Sequence, residues 1–521
     1  MKQQQDGQQE SNQAELIEIT EALRAAQEKA VREDRQWRQI MAETGEPEKN
    51  NFRDYDQSQV YFVPVRLNNF LETEHPARVI DIIVEKMDLS SLYEQYSEEG
   101  NPPYHPKMML KVLFYAYYRG VMSCRQIWDA LVFRSDFIFL SAGQVPNFRT
   151  VNSFRLRHLD LLPELFTQIV FLCVELDMVD FQNLAIDGQK IQANASFRKS
   201  KNLKGLKKEY EKVQKGIRKL VEKEVGEEFP EELRQKRLKR LEQKAEKLGE
   251  FAEKLKKLND EEKRINMSDE DAPVMRHKDG RSLPSYNHQS ATDSKYGVVC
   301  AAQSTQNNDL PEDLLPIVDE AKENTGQAHK NVIGDCGFCD YEVLEKVEVD
   351  REEEFYVPDR LYETSKKDGS ENAKYTLERF TRNEDGSIIC PEGHEMEHKS
   401  TLNYPDGHHV DVYEGTACEG CPSHDRCTKG KKRKINIDSR ENFRTIMREK
   451  LSGEEGREIY MKRQGMAEPL HGDDQKNKGW RQHHLRGFAK ATGEFLLIRI
   501  ATNLGKIVRY RSPEILAMVP I

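Results

Sequence analysis

The sequence lacks the long apolar segments that insertion into a membrane requires. A membrane-spanning helix needs about 20 consecutive apolar residues, and no stretch of the chain approaches that length. The first ten residues, MKQQQDGQQE, also lack the apolar centre of a secretory signal. We therefore expect a protein that neither crosses a membrane nor is exported, and we place it in the cytoplasm.

Cysteine is sparse, and an overall positive charge is absent. The nine cysteines among 521 residues would be free thiols or metal ligands in a cytoplasmic protein rather than structural disulfides. The formal net charge of -10 argues at first against a nucleic-acid partner. However, residues 429–512 hold 21 Lys and Arg against 10 Asp and Glu, a local net charge of +11. Because local fields steer phosphates, DNA remains a compatible partner.

Hydrophobic residues are scarce as well, at 37% of the chain against 33% charged residues, so some segments must be solvated helices or tails. Residues 1–55 are rich in Gln and Glu and predict a polar tail or terminal helix. Residues 56–180 carry apolar side chains at three- and four-residue spacing, which predicts a helical domain. Residues 181–521 alternate between strand and helix patterns, which predicts an α/β domain.

Two segments interrupt the predicted α/β domain. Residues 197–280 are highly charged, with Leu and Val at helical spacing, and they predict an inserted antiparallel helical hairpin or a short coiled coil. Residues 361–440 contain Gly, Asp and Cys without a regular period and predict a small cysteine-rich insertion. With the hairpin set aside, the predicted order of elements is β-β-β-α-β-α-β, which is typical of an α/β layer.

Two acidic residues follow predicted strands, and a third lies on a late helix. Asp187 ends the first strand, LAID, Asp335 ends the fourth, VIGD, and Glu468 lies on a predicted helix. In an open α/β sheet, ligands bind beyond the strand ends. Three carboxylates there suit two Mg²⁺ ions about 3.5–4 Å apart around a phosphodiester, and Mn²⁺ could substitute. Spacing alone is a weak signal, since most of the 90 acidic residues are solvated.

Cysteines and basic residues give two further candidate sites. Four thiolates in two separated knuckles suit a tetrahedral Zn²⁺ site, and the alternative is four reduced cysteines in a compact loop. These are Cys390, Cys418, Cys421 and Cys427. A predicted helix with Arg149 and Arg155 is typical of a helix-turn-helix DNA reader, or of a basic face in a helical bundle. The run KGKKRK at 429–434 is either a solvated surface or a phosphate contact.

The longer motifs around these acids occur together and in order. They are LAIDGQKIQANAS, SYNHQSATDSK, VIGDCGF and YMKRQGMAEPLHGDDQKNKGWRQHHLRGFAKATGEFLLIRIATNLGKI. From about Val60 to Arg509 the chain resembles the DDE transposases of bacterial insertion sequences, in the branch with a helical N-terminal domain, a charged insertion and a cysteine cluster before the glutamate. The resemblance implies a ribonuclease-H-like catalytic core, and the family's two aspartates and glutamate match Asp187, Asp335 and Glu468.

The resemblance also implies a Mg²⁺-dependent reaction that cuts and joins double-stranded DNA at terminal inverted repeats and a target. A homodimer assembled on DNA in the bacterial nucleoid would perform it. Tyr460 and Arg463 match the family's pattern, whereas Gln475 replaces the usual Lys, with Lys476 beside it, and His471 replaces the usual Phe. The predicted DNA contacts are Arg149, Arg155, Lys431, Lys432, Arg433, Lys434, Tyr460, Arg463, Lys476, Arg481 and Arg486.

Three functions are compatible with the sequence. The first is an active transposase, and the second is a catalytically silent, transposase-derived DNA-binding protein. The third is a nuclease that uses the same acids without strand transfer. The presence of all three acids favours the first function over the second. Asp473 and Asp474 add negative charge beside the predicted DNA path and argue for weaker binding of DNA ends.

Overall fold

A computed structural model of the chain describes residues 71–96, 103–222, 230–258, 263–308, 310–360, 375–383 and 385–518. All of the described residues belong to one compact unit, residues 67–521. The polar segment predicted at 1–55 lies outside the described residues. None of the helices in the described ranges is long and apolar enough to cross a membrane.

The described part begins with seven helices. Proline in the first turn starts several of them, because its fixed φ suits that position and its missing N–H needs no partner there. Asn147 caps another by accepting hydrogen bonds from the backbone N–H groups of Arg149 and Thr150. The helices are α1 Pro76–Lys86, α2 Ser90–Tyr93, α3 Pro106–Tyr118, α4 Cys124–Phe133, α5 Ser135–Leu140, α6 Phe148–Arg157 and α7 Leu162–Glu175.

A mixed six-stranded sheet follows, in the order β4-β5-β1-β7-β8 with β6 paired to β5. Its strands are β1 Asn183–Gln192, β4 Val274–Arg276, β5 Ser282–Asp293, β6 Val299–Thr305, β7 Asn331–Ile333 and β8 Glu354–Tyr356. β1 is antiparallel to β5 but parallel to β7, and β7 is parallel to β8. The parallel connections run through α10 Leu314–Thr325 and α11 Tyr341–Val349. The predicted β-β-β-α-β-α-β order is confirmed.

Two long helices lie between β1 and β4 along the chain. They are α8 Leu203–Glu222 and α9 Glu231–Lys257, and they pack against each other. The short strands β2 Ser200–Lys201 and β3 Ile265–Asn266 pair antiparallel at their base. These helices bury an apolar cluster of their own, which includes Val213, Leu248 and Phe251. The periodic Leu and Val residues of this charged segment therefore pack within it rather than on the central sheet.

The cysteine-rich segment contains a second sheet, which is antiparallel and has the order β13-β12-β11-β10-β9. The strands are β9 Thr381–Arg382, β10 Ile388–Ile389, β11 Glu395–Asn403, β12 His409–Gly415 and β13 Lys434–Asp438, with the short helix α12 at His424–Cys427. The sequence did not predict these strands. β11 buries only Met396 of its nine residues, so it lacks the alternation of apolar and polar residues that marks a half-buried strand.

Three helices complete the described chain, and the last one joins the helical segment to the sheet. They are α13 Glu441–Ser452, α14 Glu454–Gly472 and α15 Phe488–Leu516, with a π-helical turn at Asp473–Asn477 after α14. α15 packs against α1, α3, α7 and β6. One apolar core contains Phe114 and Ile169 from the helices, Ile186 and Val332 from the sheet and Phe495 from α15. Residue 180 therefore marks a change of secondary structure within one core.

Candidate active site and DNA-contacting surface

Asp187 and Asp335 occupy matching positions on neighbouring parallel strands. The parallel register of β1 and β7 ends with the pair Ala185 and Ile333, and each aspartate lies two residues further on. Adjacent strands are about 4.8 Å apart, so the two aspartates share one edge of the parallel pair. The sequence predicted that the first strand ends at Asp187. In the structure β1 continues to Gln192, because β5 pairs with it along that length.

Asp187 is contacted by two side chains from α14. Its Oδ1 lies 3.4 Å from Nη1 of Arg463, and its Oδ2 lies 3.1 Å from Nε2 of His471. These residues are eight apart, about two helical turns, so they share one helix face. Burial opposes ionisation of Asp187, but the hydrogen bond and charge of His471, with the charge of Arg463, lower the pKa of Asp187 below its ordinary value. Its carboxylate is therefore ionised at neutral pH.

The other two predicted acids have different surroundings. Asp335 caps a short 3-10 helix, where its Oδ1 accepts a hydrogen bond of 2.7 Å from the backbone N–H of Gly337. Glu468 is exposed on α14, three residues before His471, and residues at this spacing are neighbours on a helix surface. Within the described ranges, no group of three or more His, Cys, Asp or Glu side chains could hold a metal ion.

His471 is a site residue whose contacts the sequence did not predict. Its Nδ1 lies 3.0 Å from Oε1 of Gln189, and its Nε2 faces Asp187. The imidazole therefore bridges two side chains that lie on the same face of β1. The only signal in the sequence was its helical spacing from Arg463, which cannot reveal a contact across more than 280 residues of chain.

A second missed residue is Glu494, which is completely buried on α15. It accepts hydrogen bonds of 3.1 Å and 2.7 Å from the Nδ1 atoms of His483 and His484. Burial opposes ionisation of Glu494, but these two histidines lower its pKa well below the ordinary value. The carboxylate thereby fixes the loop that presents Arg481 and Arg486, both of which are exposed. The sequence signal for a buried Glu494 was its position at the start of the largely apolar run GEFLLIRI.

The predicted DNA contacts fall into exposed and buried groups. The exposed ones are Arg149, Lys431, Lys432, Lys434, Lys476, Arg481 and Arg486. Arg463 is half-buried beside Asp187, and Tyr460 is half-buried against the main core. Arg155 is only 4% exposed and donates hydrogen bonds to Tyr117 Oη, the Met122 carbonyl and Asn152 Oδ1. The prediction of a DNA contact by Arg155 is therefore wrong, because its guanidinium joins α6 to α3.

The acidic pair after α14 does not carry the free negative charge that the sequence predicted. Asp473 forms an ion pair with Lys478, and Asp474 is completely buried in an ion pair with Arg499. The π-helical turn directs both carboxylates toward these cations, and Gln475 and Lys476 are left exposed. Both charges are thus balanced locally, and the expected weakening of DNA binding by Asp473 and Asp474 stays a prediction.

The four predicted zinc ligands line one small enclosed cavity of about 30 Å³, which is room for a single water or ion. Burial raises the pKa of the Cys427 thiol, and the neighbouring thiols of Cys418, Cys390 and Cys421 raise it further. Arg433 closes the cavity by donating from its backbone N–H to Cys418 Sγ and from its guanidinium to the Cys427 carbonyl. Arg433 is thus partly engaged within this segment, and its predicted contact with DNA stays a prediction.

Comparison with known families gives two matches. A family model described as "Transposase DDE domain" matches residues 389–508, which include the four cysteines and Glu468. A second, described as "Transposase domain (DUF772)", matches residues 65–157, which include α1 to α6. No curated protein matches the chain significantly. A DDE domain implies a ribonuclease-H-like core, and the mixed sheet flanked by helices agrees with it. The two matches support a relationship between this chain and the DDE transposases of insertion sequences.

Proposed function

We propose that the chain cuts DNA at the ends of an insertion sequence and joins those ends to target DNA, with Asp187, Asp335 and Glu468 as its catalytic carboxylates. The observation that carries this proposal is the matching position of the two aspartates beyond the last parallel pair of β1 and β7. α14 packs against both strands and supplies Glu468 within one turn of the residue that contacts Asp187. We therefore propose that these three acids, which come from distant segments of the chain, act together at this edge of the sheet.

The chemistry of these donors fits Mg²⁺ or Mn²⁺, which prefer oxygen ligands. Asp187 is ionised, as a metal ligand must be, and each acid supplies carboxylate oxygens. Two bound ions would lower the pKa of the attacking water or 3′-hydroxyl and stabilise the leaving oxygen. Arg463 presents its guanidinium at the same edge, where it is suited to hold the phosphate against the carboxylates.

The exposed cations suit a DNA path that holds the backbone without reading its bases. They lie on the cysteine-rich segment, on the turn after α14 and on the loop that Glu494 fixes. Arg149 at the start of α6 is placed separately, near a helix terminus, where side chains of DNA-reading helices contact base edges. We propose terminal inverted repeats and target DNA as the partners, and a homodimer as the assembly on DNA.

We also propose that the cavity between the four cysteines binds a structural Zn²⁺ ion. The four thiols line one small cavity, although within the described residues they are not gathered into a group that could already hold a metal ion. Thiolates are the donors that Zn²⁺ prefers, so a bound ion would draw them together and offset their mutual repulsion. The site would hold the second sheet and α12 together, close to the exposed lysines of the run KGKKRK. The proposed zinc site would be structural: it would hold the nearby lysines in position for contact with DNA and take no part in the reaction.

The test of the catalytic proposal is cleavage of a duplex that carries one terminal repeat, in the presence of Mg²⁺. Asp187→Asn and Asp335→Asn each remove a negative oxygen donor and should abolish cleavage, while DNA affinity stays near that of the wild type. Asp350→Asn, which changes an exposed carboxylate outside the site, should cleave normally. Wild-type cleavage by either site variant would exclude the assignment.

Product analysis separates the alternatives. A silent DNA-binding protein would bind the repeat but give no Mg²⁺-dependent product. A nuclease would release cut ends without joining them to a second duplex. An active transposase gives joined products that carry the repeat covalently linked to target DNA, and all of them disappear with Asp187→Asn.

A further inference from the structure

A cleft of about 710 Å³ lies along a different face of α14 from the one that contacts Asp187. Met466, Pro469 and Asp473 form its wall on the α14 side, and Lys506 and Arg509 of α15 face them. The end of α3 and the turn between β5 and β6 close the remaining sides. The cleft therefore joins the helical segment, the sheet and the helix of Glu468.

The cleft has an excess of positive charge. Five cationic side chains line it against two carboxylates, Asp293 beside His329 and Asp473 with Lys478. Lys295 and Arg119 form ion pairs with Asp177 and Asp136 outside the lining, so the excess of positive charge comes from Lys506 and Arg509. Within the described part of the chain, no carboxylate lies within ion-pair distance of Lys506 or Arg509. Burial lowers the pKa of Lys506, and the charges of Arg509 and Lys478 lower it further, although Asp473 opposes them.

Lys506 lies against the turn between β5 and β6. Gly297 in that turn has a φ of +70°, which favours glycine, and a Cβ there would lie 3.2 Å from the Lys506 ammonium, so the flexible end of the lysine would have to shift. A half-buried lysine without a carboxylate partner destabilises the folded chain. An anion that enters the cleft would remove that penalty.

Aromatic rings lie beside these cations. The rings of Tyr296 and Tyr510 are 4.8 Å apart and tilted, and Tyr510 is 36% exposed. The guanidiniums of Arg509 and Arg511 lie over the Tyr510 and Tyr296 rings at 5.2 Å and 5.3 Å. Cations combined with exposed aromatic faces are the recognition elements of unpaired nucleic acid, which supplies phosphates and unstacked bases.

We propose that this cleft binds an unpaired segment of a DNA strand, with phosphate on Lys506 and Arg509 and a base against Tyr510. The volume suits one or two nucleotides, since ligand sites of about 300–1,000 Å³ hold molecules of that size, and a cleft of this size cannot admit a duplex. This inference rests on the proposed function, because strand cutting and joining is what would deliver an unpaired strand to α14. The cleft would keep that strand away from the carboxylate edge.

The experiment measures the affinity of the full chain for a short labelled single strand and for the duplex of the same sequence, over a range of salt concentrations. Lys506→Gln with Arg509→Gln should weaken single-strand binding and reduce its salt slope by about 0.7 for each phosphate that the protein no longer neutralises. Tyr510→Leu should weaken single-strand binding roughly tenfold without changing the slope. Duplex affinity should remain near the wild-type value in all of these variants.

A matched control is Lys322→Gln with Lys330→Gln, which removes two exposed charges outside the cleft and should leave both affinities unchanged. Thermal unfolding confirms that the cleft variants fold, and removal of the unpaired Lys506 charge should not lower the melting temperature. Unchanged single-strand affinity in the cleft variants would overturn the inference, as would an equal reduction for duplex and single strand. If the cleft variants instead lost self-association while single-strand binding was unaffected, the cleft would be a protein–protein contact, and the inference would again be overturned.

The two proposals fail separately. A wild-type chain that binds the single strand through this cleft but never cleaves would contradict the catalytic proposal alone. A chain that cleaves and joins normally, with single-strand affinity insensitive to Lys506, Arg509 and Tyr510, would contradict the cleft alone.

Discussion

His471 stands where related transposases usually have phenylalanine, and its imidazole lies 3.1 Å from Oδ2 of Asp187. A phenylalanine ring offers no hydrogen bond, so in its place Arg463 would be the remaining α14 side chain beside Asp187. The histidine would thus compete with any cation for an oxygen of the carboxylate that we propose as catalytic. A single substitution on α14 would therefore alter the proposed metal-binding edge without removing one of its acids.

We expect His471→Phe to lower the Mg²⁺ concentration that gives half-maximal cleavage, because Oδ2 of Asp187 becomes accessible to the ion. Titration of cleavage with Mg²⁺ measures this directly. His424→Phe is a suitable control, since that histidine lines the cysteine cavity instead. An unchanged Mg²⁺ requirement in His471→Phe would show that the histidine leaves Asp187 before the metal binds.

At the scale of secondary-structure elements, the sequence predicted the central sheet and its two connecting helices. β7 and β8 are short and almost wholly apolar, and α10 and α11 have the helical period, so local patterns were sufficient. The strands of the second sheet were missed because their side chains are largely exposed. β11 and β12 are defined by pairing with each other, a non-local property that sequence periodicity does not carry.

Motif and spacing in the sequence selected the candidate residues, but they could not predict which side chains those residues contact. Asp187, Asp335 and the four cysteines follow from motif and spacing. The burial of Arg155 does not, because an arginine on an amphipathic helix has the same local pattern whether it faces solvent or Tyr117. The pairing of Asp473 with Lys478 depends on a π-helical turn, which local propensity does not predict.

The cysteine-rich element supports a prediction about metal content. Cys418→Ser with Cys421→Ser should remove a bound Zn²⁺ ion, because only two of four thiolate ligands remain. Elemental analysis should find about one zinc per wild-type chain and none in the double variant, and amide exchange in residues 385–430 should accelerate. Cys124→Ser, outside this element, should retain the metal. Absence of zinc from wild-type protein purified without chelators would end the proposal.

At the scale of the whole molecule, an acidic protein carries a region of locally positive charge, which we propose as its DNA-binding surface. The chain has a net charge of -10, yet residues 429–512 carry +11, and Lys431, Lys432 and Lys434 are exposed within that region. Because local positive charge attracts phosphate, we expect a duplex to contact this region even though the remainder of the chain is acidic in sum. The expected orientation of the duplex depends on where the charges lie along the chain, not on the net charge of the whole chain.

Replacement of Lys431, Lys432 and Lys434 by Ala should weaken binding to a terminal-repeat duplex and to a scrambled duplex alike. The salt slope should fall by about 0.9 for each phosphate that these lysines no longer neutralise. Arg433 is kept in this variant because it holds the cysteine cavity. Removal of Lys322, Lys330 and Lys346, which are exposed elsewhere, is the matched control. An unchanged slope in the first variant would place the duplex on another surface.

The single core that α15 completes has a consequence for the fate of damaged gene copies. α1, α3 and α7 bury apolar side chains against α15, which lies more than 300 residues later in the chain. A frameshift near residue 180 would leave those helices with an uncovered apolar face, and such a fragment should aggregate or be degraded. A chain cut short near residue 180 should therefore leave no stable fragment of the helical segment.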